Sequence, residues 1–153
     1  MDAALKPLPV LARILLSLIY VLAGIGKLEN PGTTVAHMAS TGIPFANVLV
    51  YGAIAVELGV GLMLMTGLFA RAAAFVLFFY TLALALIFHA YWTMPAAAAR
   101  AQHSEFFGHL AMMGGMLYVV SFGAGAFSLD ALVGRARTAG ARASMRNQQE
   151  MRT

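Results

Sequence analysis

Long apolar stretches separated by short polar segments dominate this chain. Four of the stretches, at about residues 8–28, 46–68, 71–93 and 106–127, approach the ~20 apolar residues that cross a bilayer as an α-helix. A segment inside the bilayer must satisfy its own backbone hydrogen bonds, and a helix does so within itself. The pattern therefore predicts an all-α fold, a four-helix transmembrane bundle with antiparallel neighbours.

The segments between and after these stretches complete the predicted organisation. In the loop 29–45 we expect a short outer-side helix from Thr33 to Ser40, capped by Thr33 or Thr34. Cleavage of the first stretch as a signal peptide is not expected, because its apolar run is long and no clear A-x-A site follows. Residues 1–130 are expected to form the membrane domain. Residues 131–153 are expected to form a basic cytoplasmic tail, either a frayed helix or flexible chain.

Composition agrees with a membrane protein and narrows its chemistry. Of the 153 residues, 61% are hydrophobic and 10% are charged, whereas soluble domains have about 45–50% and 25%. The sequence contains no cysteine, which excludes disulfides, thiolate metal sites and iron–sulfur ligation. If the protein handles electrons, a bound cofactor, a metal or a partner must carry them.

The basic residues predict an orientation in the membrane. Lys27 and Arg100 fall on one side of the predicted bundle. On the other side lie Lys6, Arg13, Arg71, Arg135, Arg137, Arg142, Arg146 and Arg152. The positive-inside rule then places both termini of this multi-pass membrane protein in the cytoplasm. No arginine-plus-aromatic pattern for RNA or DNA is present, so the expected environment is lipid and not nucleic acid.

Glu57 is the most informative single residue, because it is a carboxylate in the middle of the second apolar stretch. A charge at this depth costs roughly 2.5–3.5 kcal/mol on insertion scales and persists mainly where it faces a protein interior or a wet cavity. Two interpretations remain open for it. One is a role in handling a ligand or protons. The other is structural, as an ion pair or as a protonated carboxyl that is hydrogen-bonded to a neighbouring helix.

Helical spacing gathers polar and small residues on one face of each stretch. In chain order these faces are Arg13, Ser17, Tyr20, Gly24 and Lys27; Ala46, Ala53, Glu57 and Gly61; Arg71, Ala74, Phe78, Ala85 and His89; and His109, Met113, Met116 and Val120. If the four faces converge, they enclose a polar pocket that leans toward the outer side.

This predicted pocket supplies the candidate site residues. Its expected members are Glu57 as the proton-handling group, Lys27, His89 and His109 as ligand-binding groups, Tyr20 as a hydroxyl donor, and Arg13 and Arg71 as a floor of ion-pairing groups. Lys27, His89 and His109 also lie close enough to the interface to extend toward water. Arg71, beside a loop, is also explained by the positive-inside rule alone.

Metal and haem binding have weaker support in the sequence. His89 and His109 on different helices are candidates for one haem iron or a copper ion, and Met113 adds a soft thioether. Methionine is more often adaptable packing, and no local ligand motif accompanies the histidines. No P-loop, G-x-S-x-G or dinucleotide-binding motif is present.

Several short segments together resemble the DoxX family of small bacterial membrane proteins. They are 13–16 (RILL), 23–28 (AGIGKL), 41–44 (TGIP), 57–62 (ELGVGL), 66–71 (TGLFAR), 87–89 (IFH) and 106–115 (FFGHLAMMGG). Their order and spacing cover roughly residues 13–130. The family pattern includes Lys27, Glu57, Arg71 and His89, whereas His109 stands where relatives commonly carry Asn.

The resemblance implies a four-helix fold in the bacterial inner membrane and an association with respiratory or stress-linked oxidoreductases. Some relatives are quinone-reducing oxidoreductase subunits. The resemblance favours a quinone-like ligand, with haem or copper as lesser alternatives. In this hypothesis Glu57 accepts or relays protons, His89 and His109 donate to ligand carbonyl oxygens, and a redox partner subunit is needed for turnover. The rivals are a non-catalytic scaffold or anchor subunit and a small-molecule or metal carrier, and a homo-oligomer is left open.

Overall fold

The computed structural model describes residues 7–151, and this part of the chain is helical with no strand. Four helical segments are long and apolar enough to cross a membrane: Leu8–Glu29, Ala46–Thr66, Ala70–Thr93 and Ala96–Phe122. The predicted four-helix transmembrane bundle is therefore confirmed, and its environment is a lipid bilayer. Lys6 and Arg152, two of the charges used to predict orientation, lie outside the described residues, and the side to which the termini face stays a prediction.

The chain forms seven α-helices over the described residues. They are α1 (Leu8–Glu29), α2 (Pro31–Ser40), α3 (Ala46–Ile54), α4 (Gly61–Thr66), α5 (Ala70–Phe88), α6 (Ala96–Phe122) and α7 (Leu129–Glu150). A π-helical turn, Ala55–Val60, joins α3 to α4, so these three pieces form one span, and a single 3₁₀ turn, Tyr91–Thr93, precedes α6. We call the end of the bundle where α1 begins the tail end, and the opposite end, which carries α2, the loop end.

Two helix pairs build the bundle. α5 packs along α6, and α1 packs along the second span, with much less contact between α1 and α6. The core between the pairs is formed by small and aliphatic side chains with one tyrosine: Tyr20, Leu64, Ala70, Ala73, Ala74, Leu77, Met116, Val119 and Ala124. The alanines of α5 keep the helices close, as expected where packing within lipid depends on small residues.

The predicted inward faces of the first two spans are confirmed. α1 buries Arg13, Ser17, Tyr20 and Gly24. The second span buries Ala46, Ala53, Glu57 and Gly61. Gly24 is needed at the closest approach, since a Cβ there would lie 2.7 Å from Leu58 Cγ and 3.1 Å from Glu57 Cβ. This contact brings α1 directly against the π-helical turn.

Three predicted boundaries are corrected by the structure. α6 begins at Ala96 and not near 106, because the alanine-rich segment taken as a loop has high helix propensity and continues into the span. α2 begins at Pro31, whose fixed φ suits the first helical position, so neither Thr33 nor Thr34 caps it. α5 ends at Phe88, which leaves His89 just beyond the helix.

The tail, for which helix and flexible chain were both open, forms α7. Its start is fixed to the bundle by Asp130, whose two carboxylate oxygens accept hydrogen bonds from two backbone amides where α5 begins. These are Phe69 N, of the residue before the helix, at 2.8 Å and Ala70 N at 3.0 Å. An acidic group at a helix N-terminus satisfies free N–H groups and the helix dipole. Asp130 N also donates to Gly67 O at 3.0 Å.

Candidate ligand site

Glu57 lies in the π-helical turn and is 2% exposed. A π turn inside a helix is rare and is found frequently at functional sites. Here it lies where Gly24 lets α1 come close, so the carboxylate points into the bundle and not into lipid. The sequence predicted the burial of this acid but not the local change of helix type.

An ion pair and a tyrosine hydroxyl hold the Glu57 carboxylate. Lys27 Nζ donates to Oε1 at 2.9 Å, and Tyr80 Oη donates to the same oxygen at 2.7 Å. The three side chains come from α1, the second span and α5. Because hydrogen bonds to charged groups are shorter and stronger than neutral ones, this network couples three helices at one point.

The second carboxylate oxygen is less well satisfied. Lys27 Nζ also lies 2.9 Å from Oε2. The angles of this contact do not suit a hydrogen bond, so it is an ionic contact only. Glu57 Oε2 is thus a buried acceptor with no hydrogen-bond partner. Because Lys27 Nζ lies 2.9 Å away, the ion pair compensates the charge on Oε2 even without a hydrogen bond.

A cavity of about 180 Å³ adjoins this carboxylate. Its walls come from α1, α2, the second span, α5 and the residue after α5. They are Lys27, Thr34, His37, Met38, Glu57, Tyr80, Leu84, Phe88 and His89. The polar groups lie beside apolar and aromatic surfaces, as is typical of small-molecule sites.

His89 and His109 lie together, but only His89 lines the cavity. Their ring centroids are 4.6 Å apart. His89 Nδ1 is 2.7 Å from Gln102 Oε1, and His109 Nδ1 donates to Glu105 O at 2.8 Å. The expected meeting of the two imidazoles is therefore present, with His109 one layer behind the cavity wall.

Tyr20 lies in the core and does not line the cavity. The Thr81 hydroxyl donates its single proton to Leu77 O at 2.6 Å, so Tyr20 Oη is the donor in the 2.6 Å bond to Thr81 Oγ1. The Tyr20 hydroxyl, predicted as a donor to a ligand, is thus used within the bundle.

Arg13 and Arg71 lie at the tail end, far along their helices from Lys27 and His89. Arg13 is 3% exposed and donates to the backbone carbonyls of Ala124, Phe127 (3.1 Å) and Met65 (3.3 Å), which ties α1 to the segment after α6. Arg71 is exposed. Arg13 therefore satisfies backbone groups, and the expected floor beneath the cavity is not formed by these two residues.

Sequence reasoning missed Tyr80 and the contribution of α2. Tyr80, Leu84 and Phe88 follow one another at helical spacing and present a stripe of α5 to the cavity. A hydroxyl at bilayer depth needs a hydrogen-bond partner, and this was the available signal for Tyr80. From α2, the ring of His37 stacks on the ring of Phe88, and the two ring centroids are 5.0 Å apart.

The residues considered for a metal or haem are His89, His109 and Met113. Over residues 7–151, no three or more His, Cys, Asp or Glu side chains are placed to hold one ion together. Met113 is buried in α6.

A larger groove of about 550 Å³ lies between α1 and α6, but it is lined by apolar side chains and small residues. Its walls are Ala12, Leu15, Leu16, Ile19, Ala111, Met112, Gly115, Tyr118 and Val119. Where α1 and α6 make little contact, such a groove on the side of a membrane bundle faces lipid. Charge and convergent polar groups instead favour the smaller cavity as the candidate site.

Four apolar helices around a buried ion pair define a small integral membrane protein with a polar interior site. The chain belongs to the DoxX family, whose model matches residues 8–90. It is 34% identical over 128 residues to the inner membrane protein YphA of Escherichia coli (strain K12), covering 84% of this chain and 91% of that protein. It is 32% identical over 125 residues to the inner membrane protein YqjF of the same organism, covering 81% and 90%. No solved structure gives a match.

Proposed function

We propose that this protein is an integral membrane subunit of a respiratory or stress-linked oxidoreductase system and binds a quinone-like ligand in the cavity beside Glu57. The observation that supports this most strongly is the Lys27–Glu57 ion pair, joined by the Tyr80 hydroxyl, among the residues that line a 180 Å³ cavity at membrane depth. Buried charge inside a membrane protein is by default a functional-site signal. Membership of the DoxX family agrees with the proposal.

The size of the cavity limits the ligand. Drug-sized ligands occupy pockets of about 300–1,000 Å³, whereas an apolar cavity of about 150 Å³ accepts benzene. At about 180 Å³ the cavity accommodates one substituted six-membered ring. Phe88 and Leu84 supply flat and apolar surface for such a ring, and the polar groups lie along one side of it.

The chain's own residues then have distinct tasks. Lys27 and Tyr80 hold the Glu57 carboxylate in place, and the three side chains present their polar groups on one side of the cavity. A quinone takes up or releases protons together with electrons, and the Glu57 carboxylate is the acidic group among the residues that line the cavity. The sequence has no cysteine, so a partner subunit supplies or removes the electrons.

A scaffold subunit is the second candidate, and one observation favours it. Lys27, Glu57 and Tyr80 already bind one another across three helices, as a purely structural network would. In that case the network fixes helix pairing, and the cavity holds solvent or lipid.

Co-purification separates the two candidates. We expect the full chain, purified in mild detergent and extracted with organic solvent, to yield quinone at near one per chain by mass spectrometry. Glu57→Gln should lose most of this quinone and lower quinone reduction in membranes, while its protein level stays near wild type. The matched control is Tyr118→Phe, in the groove between α1 and α6, which should retain the ligand.

Other outcomes of this experiment would support one of the alternative functions. If no quinone is found and Glu57→Gln abolishes folding or partner capture, the scaffold function is correct. Equal loss of quinone in Tyr118→Phe would assign the bound ligand to the apolar groove. Stoichiometric copper or iron in the purified protein would favour a metal carrier.

A further inference from the structure

The helix α7 lies at the tail end of the bundle, away from the cavity. We propose that α7 is a membrane-surface helix, which binds the negatively charged headgroups of phospholipids where the bundle leaves the bilayer. This inference concerns a different surface from the ligand site and does not depend on the proposed function.

The charge of α7 has one sign along most of its length. Residues 131–149 contain four arginines and no acidic residue. Asp130, which precedes this stretch, is already bound to two backbone amides where α5 begins. Basic residues next to a bilayer are attracted to anionic lipids, and each contributes roughly a fivefold gain in binding. The complementary partner of this stretch is therefore a negatively charged surface.

The arginines border an apolar face. At helical spacing, one side of the first two turns of α7 carries Leu129, Leu132, Val133 and Ala136. Arg135 and Arg142 are seven residues apart and follow one border of this face, and Arg137 lies on the other border. In such an arrangement the apolar face enters the headgroup region while the guanidinium groups stay beside the lipid phosphates.

The start of α7 is held close to the membrane boundary. α6 ends at Phe122 and α7 begins at Leu129, so only a short segment separates the span from the basic helix. Asp130 ties the first turn of α7 to the start of α5. Arg135 Nη2 adds a hydrogen bond to Ala126 O at 3.2 Å. From this fixed start the 22 residues of α7 extend about 33 Å, far enough to reach several headgroups.

The apolar face of α7 is open at its first turns. Leu132 and Val133 are 57% and 47% exposed. Leu132 shares a shallow cleft with Phe127, and Val133 shares another with Phe69, and both of these phenylalanines are exposed. Each cleft also contains one arginine of α7. Apolar surface next to arginine suits the acyl chains and phosphates of lipids, whereas a nucleic acid would match the charge alone.

Single cysteines can test this placement, because the sequence has no other cysteine. Ala136→Cys places a fluorescent probe on the apolar face, and Thr138→Cys places it on the opposite side of the helix. The full chain is reconstituted into vesicles of phosphatidylcholine alone, or of equal parts phosphatidylcholine and phosphatidylglycerol. We expect nitroxide-labelled lipids to quench the probe at position 136 strongly in the mixed vesicles only. The probe at position 138 should stay accessible to water in both. High salt should reduce the quenching, because it screens the attraction.

Arginine variants assign the attraction to α7. Arg135→Gln and Arg142→Gln should each lower the ratio of lipid-bound to free helix roughly fivefold in the mixed vesicles. The matched control is Arg100→Gln, an exposed arginine of α6 at the loop end, which should leave this ratio unchanged.

Three results would overturn the inference. The first is equal quenching at position 136 in the two kinds of vesicle. The second is a probe at position 136 that stays as accessible to water as the one at position 138 in both. The third is protection of position 136 that grows with protein density and is accompanied by disulfide cross-links between copies of the unlabelled cysteine variant. That result would assign the face to a second copy of the chain.

Discussion

Replacing Lys27 by Met should destabilise the protein by about 3–5 kcal/mol, because removal of one partner from a buried ion pair leaves an uncompensated charge. The charge left behind is on Glu57, which is 2% exposed and has no path to water along its own side chain. Methionine has a similar length to lysine. The loss of stability therefore reports the missing ammonium group and not empty space left by a shorter side chain. Equilibrium unfolding in mixed detergent micelles measures the effect.

The complementary change should cost less. In Glu57→Gln the remaining charge is on Lys27, whose side chain is 22% exposed and can extend toward the interface at the loop end. We expect a loss of about 1–2 kcal/mol for this variant, and the double variant should lose less than the two single losses added together. Equal small effects, within about 0.5 kcal/mol of wild type, would show that the pair is not buried as described.

The second large effect is expected for Gly67→Ala, which should lower the free energy of unfolding by about 2–5 kcal/mol. Gly67 has φ +73°, and an alanine Cβ there would lie 2.6 Å from Ser128 Cβ and 2.8 Å from Arg13 Nη1. The left-handed backbone costs an L-residue about 1–2 kcal/mol, and overpacking adds about 1–3 kcal/mol. The same clash would disturb the bonds of Arg13 to the backbone after α6.

Gly42→Ala is the matched control for this prediction. Gly42 has nearly the same φ, +78°, but nothing lies within 4 Å of an added Cβ. It should therefore lose only the backbone contribution of about 1–2 kcal/mol. The difference in unfolding free energy between the two variants isolates the contact at the tail end. If both glycine variants lose the same amount, close packing of Gly67 against Arg13 and Ser128 is refuted.

The transmembrane helices were predictable because the bilayer fixes their length and composition. The inward faces of α1 and the second span were also predictable, since Gly24, Ala53 and Gly61 mark where another helix comes close. The start of α6 was not, because polar residues such as Arg100 lower the hydropathy of its first turns without ending the helix.

The site was predicted in part for a physical reason. The position of each residue along its helix fixes its depth, which predicts Glu57 near the midplane and Lys27 and His89 on the outer side of it. Which side chain of a neighbouring helix reaches the carboxylate depends on how the helices are rotated against each other. A single helix's periodicity does not determine that rotation, so Tyr80 and not Tyr20 proved to be the hydroxyl beside Glu57.

The central claim is that the ligand binds beside Glu57 and not in the larger apolar groove. Photolabelling of the full chain in nanodiscs with an azido-quinone, followed by peptide mass spectrometry, tests this directly. The account predicts labels on α2 residues 34–38 or α5 residues 80–89, with labelling suppressed by excess unlabelled hydroquinone. Competed labels on residues 12–19 or 111–119 would contradict it, as would labels that excess ligand does not displace.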